Sequence, residues 1–150
     1  MQEKAIRVVA GMFCRRDPGQ GASFQLAIFR RGPKETAAGF WEFPGGKVEL
    51  GESDTQALAR ELEEELCVRV HVRERIAENI HAYPKRKIHL VLYRVETVLP
   101  ELQVQLLDHD DWKWVSDRDL ESYALAPADL PLIEEIRRLF RQKTLFHSEK

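Results

Sequence analysis

A chain of 150 residues, 43% hydrophobic and 32% charged, has the length for one sizeable core and the balance of a globular protein. Its net charge of -2 excludes a general nucleic-acid coat, since duplex phosphates call for a concentrated basic surface, while a few local arginines suffice for a small anionic ligand. No run approaches the ~18 apolar residues of a membrane span and the apolar stretch near the N-terminus is too short for a signal peptide, so a cytoplasmic protein without a membrane partner is expected.

In chain order, "AIRVVAGMFCRR" reads as a strand, "DPGQGAS" as a turn and "FQLAIFRR" as a second strand, together a hairpin. "GPKETAAGF", residues 32–40, is a loop of polar and small residues, and "WEFPGGKVE" a short extended stretch broken at Pro44. Ser53 and Gln56 make a capping box that starts a helix expected to run to about Leu66. Val68, Val70 and Val72 then alternate with charged residues at strand period. "RKIHLVLYRVETV" is a further strand and "DWKWVS" a short one, with Ser116 capping a helical turn through Leu120. Leu132, Ile133, Ile136, Leu139 and Phe140 give the C-terminal helix an apolar face, before a polar tail from Arg141. Strands, a helix, more strands and a last helix predict one α/β (α+β) domain over residues 1–150, with a core at about 5–142. Cys14 and Cys67 lie in apolar contexts with no second ligand at metal spacing and are expected as buried free thiols.

On the helix after the glycine loop, Leu58, Leu62 and Leu66 fall on one stripe, and Glu61, Glu64 and Glu65 cluster within a neighbouring arc of about 100°. Glu63 points away, to solvent. Like charges at these spacings destabilise a helix by roughly 0.2–0.5 kcal/mol per pair, which a solvated face tolerates. The neighbours favour a metal site instead. Arg60 can orient the carboxylates, and the "GGKVELGE" loop brings backbone groups and Glu52 to the same helix, an oxygen-rich setting of the kind Mg²⁺ and Mn²⁺ prefer.

Gly46, Glu52 and "RELEEELCV" from Arg60 to Val68 resemble the Nudix box, G-x5-E-x7-R-E-U-x-E-E-x-G-U, where U is aliphatic. Cys67 stands where that family usually has glycine, at a helix end whose left-handed conformation costs another residue roughly 1 kcal/mol. "RR", ten residues and "EFPGGK", then "YPKRKIHLVLYRV", "WKWVS" and "LAPADLPLI", extend the likeness to the MutT-type branch. The resemblance implies a Nudix α/β/α sandwich with a mixed β-sheet that hydrolyses a nucleoside triphosphate, 8-oxo-dGTP being one candidate, to the monophosphate and pyrophosphate. It implies that Glu61, Glu64, Glu65 and the Gly45 carbonyl hold Mg²⁺, with Mn²⁺ able to substitute, and that Asp111, or else Asp110, adds a carboxylate. Glu61 leads as general base, Glu52 is the second candidate, and Arg60 orients them. The alternatives are CTP, dCTP or another nucleoside diphosphate derivative, a 5′-triphosphorylated RNA end, and a non-catalytic nucleotide-binding module. The RNA case would draw on Lys34, Lys85, Arg86 and Lys87; otherwise no stable nucleic-acid binding is expected.

Five further residues are candidates for substrate binding, each with a plainer reading beside it. Arg31, with Arg30 beside it, either holds the nucleotide or ends a strand in solvent. Phe43 is a pocket wall or core packing. Tyr83 and Arg86 contact the ligand or belong to a hairpin turn. Asp129 matches the position where MutT-like proteins carry the Asn or Asp that reads a base edge, and it also stands where a helix N-cap would. An ionised carboxylate there accepts only, suiting the donor edge of guanine, of an 8-oxo-purine at N7–H or of cytosine at N4. The five histidines are read as surface or satisfied polar groups, and Trp41, Trp112 and Trp114 as packing at the core or its rim.

Overall fold

The computed structural model describes residues 4–19 and 23–142. Strands β1 (Ile6–Arg16) and β2 (Phe24–Arg31) form the expected antiparallel hairpin, in register from Cys14↔Leu26 to Arg16↔Phe24. Residues 20–22 of its turn, and 143–150 of the polar tail, lie outside the described residues. The extended stretch at 41–49 is two strands, not one. β3 (Trp41–Glu42) pairs with β2, while β4 (Gly45–Lys47) pairs with β1, and the carbonyl of the intervening Pro44 accepts from Gly11 N–H at 2.8 Å.

Helix α1 (Asp54–Leu66) begins as its capping box predicts: Ser53 Oγ accepts from Gln56 N–H at 3.2 Å, and Gln56 Oε1 from Ser53 N–H at 3.0 Å. It buries Ala57, Leu58, Leu62 and Leu66, and a fully buried leucine contributes roughly 1.5–3 kcal/mol. Its first residue, Asp54, accepts from Arg7 Nε at 2.7 Å and from the Tyr93 hydroxyl at 2.7 Å, which fixes the helix start against the sheet. The helix ends at Cys67 in the left-handed conformation, φ 57° and ψ 37°, with Cys67 and Val68 N–H groups donating to Glu63 and Leu62. The geometry that usually takes glycine is therefore present without one. Its side chain is exposed, and Cys14 is only half-buried, so neither thiol is the buried group expected.

Strand β5 (Val70–Tyr83) is longer than the alternation at Val68–Val72 suggests. Its pairing with β6 (Arg86–Thr97) slips between Val72 and Arg75 and again before Ala77, and these bulges break the two-residue period that sequence reading relies on. β7 (His109–Ser116) starts two residues before the predicted strand and pairs with β2. Ser116 caps a 3-10 turn, Asp117–Ser122, and α2 (Leu132–Gln142) closes the described chain.

The seven strands form one sheet with the path β3-β2-β1-β6-β5, β4 joined to β1 and β7 to β2. It is mixed, since β1 and β6 run parallel and the other pairs antiparallel. α1 packs with Val9, Phe13, Ala27 and Phe29 on one face, and α2 with Met12, Leu26, Ile28 and Leu92 on the other. That is the expected α/β/α sandwich. β1 takes β2 as neighbour at Cys14–Arg16 but β4 at Val8–Ala10, and residues from both sides of this exchange line a cleft of about 500 Å³.

Candidate active site

Where α1 meets the glycine loop that lines the cleft, Arg60 is the hub. It grips both oxygens of Glu52, from Nε at 2.7 Å and from one terminal nitrogen at 2.9 Å, and the other terminal nitrogen reaches Glu61 at 3.0 Å and Glu64 at 3.2 Å. A further bond to the Lys47 carbonyl at 3.2 Å ties the helix to the glycine loop. Arg60, helped by the Glu49 N–H, holds the Glu52 carboxyl down at about 2. Both Glu52 oxygens are engaged, so the second candidate for general base is a poor proton acceptor near neutrality. It instead braces Arg60 between loop and helix.

Glu61 is tucked against Gly46, where any Cβ would fall inside its carboxylate. This close approach is what the glycine supplies. Gly45 lies beside it, paired with Ala10. Glu64 is exposed and tied to Arg60. Glu65 turns inward, and its Oε2 is buried without a hydrogen-bond partner. Burial, with the charges of Glu61, Glu42 and Asp108, pushes its carboxyl up to about 9. Excess negative charge and an orphaned oxygen fit a cation that would replace the proton, although among the described residues no three Asp, Glu, His or Cys side chains already form a metal cage.

The cleft itself brings together all five predicted substrate residues: Arg31, Phe43, Tyr83, Arg86 and Asp129 line it with Gly45 and Gly46. Arg31 donates to both oxygens of Glu42 at 3.1 Å and to the Thr36 carbonyl and hydroxyl, so it is no solvated strand end. Phe43 serves as core and as wall. Tyr83 ends β5, with the Arg86 guanidinium 5.7 Å from its ring centre. Asp129 is buried and does not cap α2; its Oδ2 accepts from Phe43 N–H at 2.9 Å. Burial foremost, and then the charge of Glu42, push its carboxyl well above the usual range, against the opposing Phe43 N–H and Arg31. Backbone bonds from Trp41 N–H to the Ala124 carbonyl and from Ala126 N–H to the Trp41 carbonyl, with Asn79 on the Ala128 carbonyl, hold this loop in place.

Asp111 and Asp110 are not brought to the helix carboxylates. Asp111 pairs in register with Arg30, whose guanidinium lies over Trp41 on the α2 face, and its Oδ1 accepts from Trp112 N–H. Asp110 forms an ion pair with Arg30 at 2.7 Å. Asp108, before the strand, is the acid whose charge reaches Glu65. Sequence reading also passes over Glu42 and His109. Glu42 stands between two large aromatics, so strand alternation puts it on the face opposite theirs, the face α1 covers. His109 is buried with its Nε2 on Glu42 at 2.9 Å and its Nδ1 unpaired, so it is neither a surface group nor fully satisfied. His147 lies outside the described residues. The tryptophans pack at the core and its rim as read, Trp41 against the α2-side cluster and Trp112 and Trp114 against the α1-side cluster.

The fold and the helix-borne acids define a class, and comparison with known proteins agrees with them: the NUDIX domain family matches residues 19–135. The chain belongs to the Nudix family, and it is a pyrophosphohydrolase acting on phosphoric anhydrides. The CTP pyrophosphohydrolase of Escherichia coli (strain K12) is 38% identical over 136 residues, covering 91% of this chain and 94% of that protein. An 8-oxo-dGTP diphosphatase of Haemophilus influenzae is 32% identical over 137 residues, covering 91% and 94%. The solution structure of the E. coli ORF135 protein superposes with a TM-score of 0.75 at 35% identity, covering 95% of each chain. Nudix enzymes act on small nucleotides and generally use divalent metal ions. No helix among the described residues is long and apolar enough to cross a membrane.

Proposed function

We propose that the chain hydrolyses a nucleoside triphosphate to the monophosphate and pyrophosphate, with Mg²⁺ as the cation and Mn²⁺ able to replace it. The observation that carries this reading is the cleft itself. Its wall includes Gly45 and Gly46, the latter packed against the Glu61 carboxylate of a helix cluster short of positive charge, together with a buried, hydrogen-bonding Asp129 beside Phe43 and Arg31.

Glu61, Glu64, Glu65 and the Gly45 carbonyl would hold the cation, with Asp108 replacing Asp111 as the further acid. When bound, the cation lowers the pKa of water and offsets polyphosphate charge. Glu61 takes the proton from the attacking water, with Arg60 orienting its carboxylate through Oε1. Arg60 also keeps Glu52 and Glu64 in register with the loop. Arg31, Tyr83 and Arg86 hold the nucleotide along the cleft, and Phe43 supplies the apolar wall.

Asp129 reads the base. Since burial favours its neutral form, Oδ2 stays on the Phe43 N–H while the second oxygen can donate as well as accept. That revises the acceptor-only expectation and suits bases whose edge offers both, among them 8-oxoguanine. CTP or dCTP is the second reading, favoured by the likeness to the E. coli CTP pyrophosphohydrolase. A Mg²⁺-dependent screen of ordinary and oxidised triphosphates, ranked by kcat/KM, tests both. Monophosphate plus pyrophosphate from an oxidised purine or a cytidine nucleotide supports the proposal. Intact triphosphate throughout, or hydrolysis indifferent to chelator, refutes it.

A further inference from the structure

Glu42 joins the cleft to the helix cluster. It sits on β3 opposite Phe29, on the face of the sheet that α1 covers, and its side chain is 15% exposed. β2 runs between β3 and β7, and Glu42 meets Arg31 at the end of β2, at 3.1 Å from both oxygens, and reaches across β2 to His109 Nε2, at 2.9 Å. The slip in β7 pairing between Arg30 and Arg31 sets His109 opposite Arg31, so a carboxylate on the third strand can meet both.

Each partner carries a different part of the site. Arg31 spends its remaining nitrogens on Thr36, and Thr36 and Ala37 form part of the cleft wall. Ala37 holds a left-handed φ of 57°, an unfavourable state for alanine that the surrounding bonds must maintain. His109 follows Asp108, whose carbonyl accepts from Gly32 N–H at 3.2 Å, and a Cβ at Gly32 would strike that carbonyl. His109 itself is packed on Phe29, with ring centres 5.6 Å apart, and its unpaired Nδ1 is best a bare lone pair, which puts the hydrogen on Nε2, facing Glu42. The Glu42 charge is felt by both Glu65 on α1 and Asp129 in the cleft.

We propose that Glu42 is a positioning residue that couples the two regions: through Arg31 it sets the nucleotide wall, and through His109 it sets the Asp108 segment beside the helix carboxylates. The inference rests on the hydrolase reading above and adds a residue to it. Loss of such orienting partners typically weakens metal binding or activity about 10–100-fold.

The test is a set of single variants with two readouts. One is kcat and KM with the preferred triphosphate; the other is the Mn²⁺ dissociation constant of the nucleotide-free protein, read by electron paramagnetic resonance. Glu42→Ala is expected to raise KM and weaken Mn²⁺ binding, each by about tenfold or more. Arg31→Ala should reproduce the KM effect without the Mn²⁺ effect, and His109→Ala the reverse. Glu42→Gln keeps volume and one carbonyl acceptor, so it should show both effects at smaller amplitude, and it carries the test should the alanine variant lose its cooperative melt. Wild-type values in both readouts for the Glu42 variants overturn the proposal, as does an identical pattern from Arg31→Ala and His109→Ala. A wild-type protein inactive on every triphosphate refutes the functional reading, and the Mn²⁺ arm still decides Glu42.

Discussion

Beside the glycine loop, three glutamates, Glu52, Glu61 and Glu64, gather on Arg60 within one short stretch of chain, partly wet. In the Asp129 region, a single buried carboxyl meets Phe43, a residue 86 positions away in sequence. The first region is built mainly by helical spacing, with Arg60 holding Glu52, Glu61 and Glu64 and the glycine loop packed against Glu61. The second is built by tertiary packing and depends on β3, the β5–β6 hairpin and the loop before α2 staying together. A substitution in the first region should therefore strike chemistry with little loss of stability, whereas one in the second should strike both.

Replacing an acid in the first region is the strongest way to test that contrast. Glu61→Gln is expected to lower kcat by about 10²–10⁴-fold, and Glu64→Gln to remove most turnover, with Tm close to wild type in calorimetry because Glu64 is exposed and, among the described residues, bonded only to Arg60. A large drop in Tm for Glu64→Gln would erase the distinction. In the other region, Asp129→Ala leaves the buried Phe43 N–H without its acceptor, which costs roughly 1–3 kcal/mol. Urea melts should show that loss together with a collapse in discrimination between bases, and Asp129→Asn should recover stability ahead of discrimination.

Glu65 sits at the join and gives a pH signature. Its folded-state pKa is raised from 4.5 to about 9, so between those values the folded protein binds a proton that the unfolded chain has released. Stability therefore falls as pH rises through that window, since the unfolded state binds fewer protons there. Glu65→Gln does not titrate. In chelator, its Tm advantage over wild type should be small near pH 4.5 and widen toward pH 9; a gap that stays flat would show that the group is not held protonated. The smallest effect belongs to Cys67→Gly, which relieves a left-handed residue at φ 57° and should add about 1 kcal/mol with kcat/KM unchanged.

What could be read in advance follows the same division. Helix α1, its capping box and its acid register come from residues spaced within a few turns, and they emerge from sequence intact. The five cleft residues came from motif likeness, and they do gather, but their bonds could not be foreseen. Asp129 looks like an N-cap because a helix follows; only the fold brings Phe43 N–H to it. Asp111 looks like the better acid because it precedes the tryptophans, yet the β7 ladder turns it onto the Arg30 face and leaves Asp108 near Glu65. Glu42 and His109 have no mutual spacing to notice. β5 hides half its length behind two bulges that erase its alternation.

The contact between Gly46 and the Glu61 carboxylate makes the loop and the helix a single mechanical part. Neither can be redesigned alone, since a side chain added at Gly46 displaces the Glu61 carboxylate. Directed evolution on this scaffold should accordingly find viable variants here only when loop and helix change together.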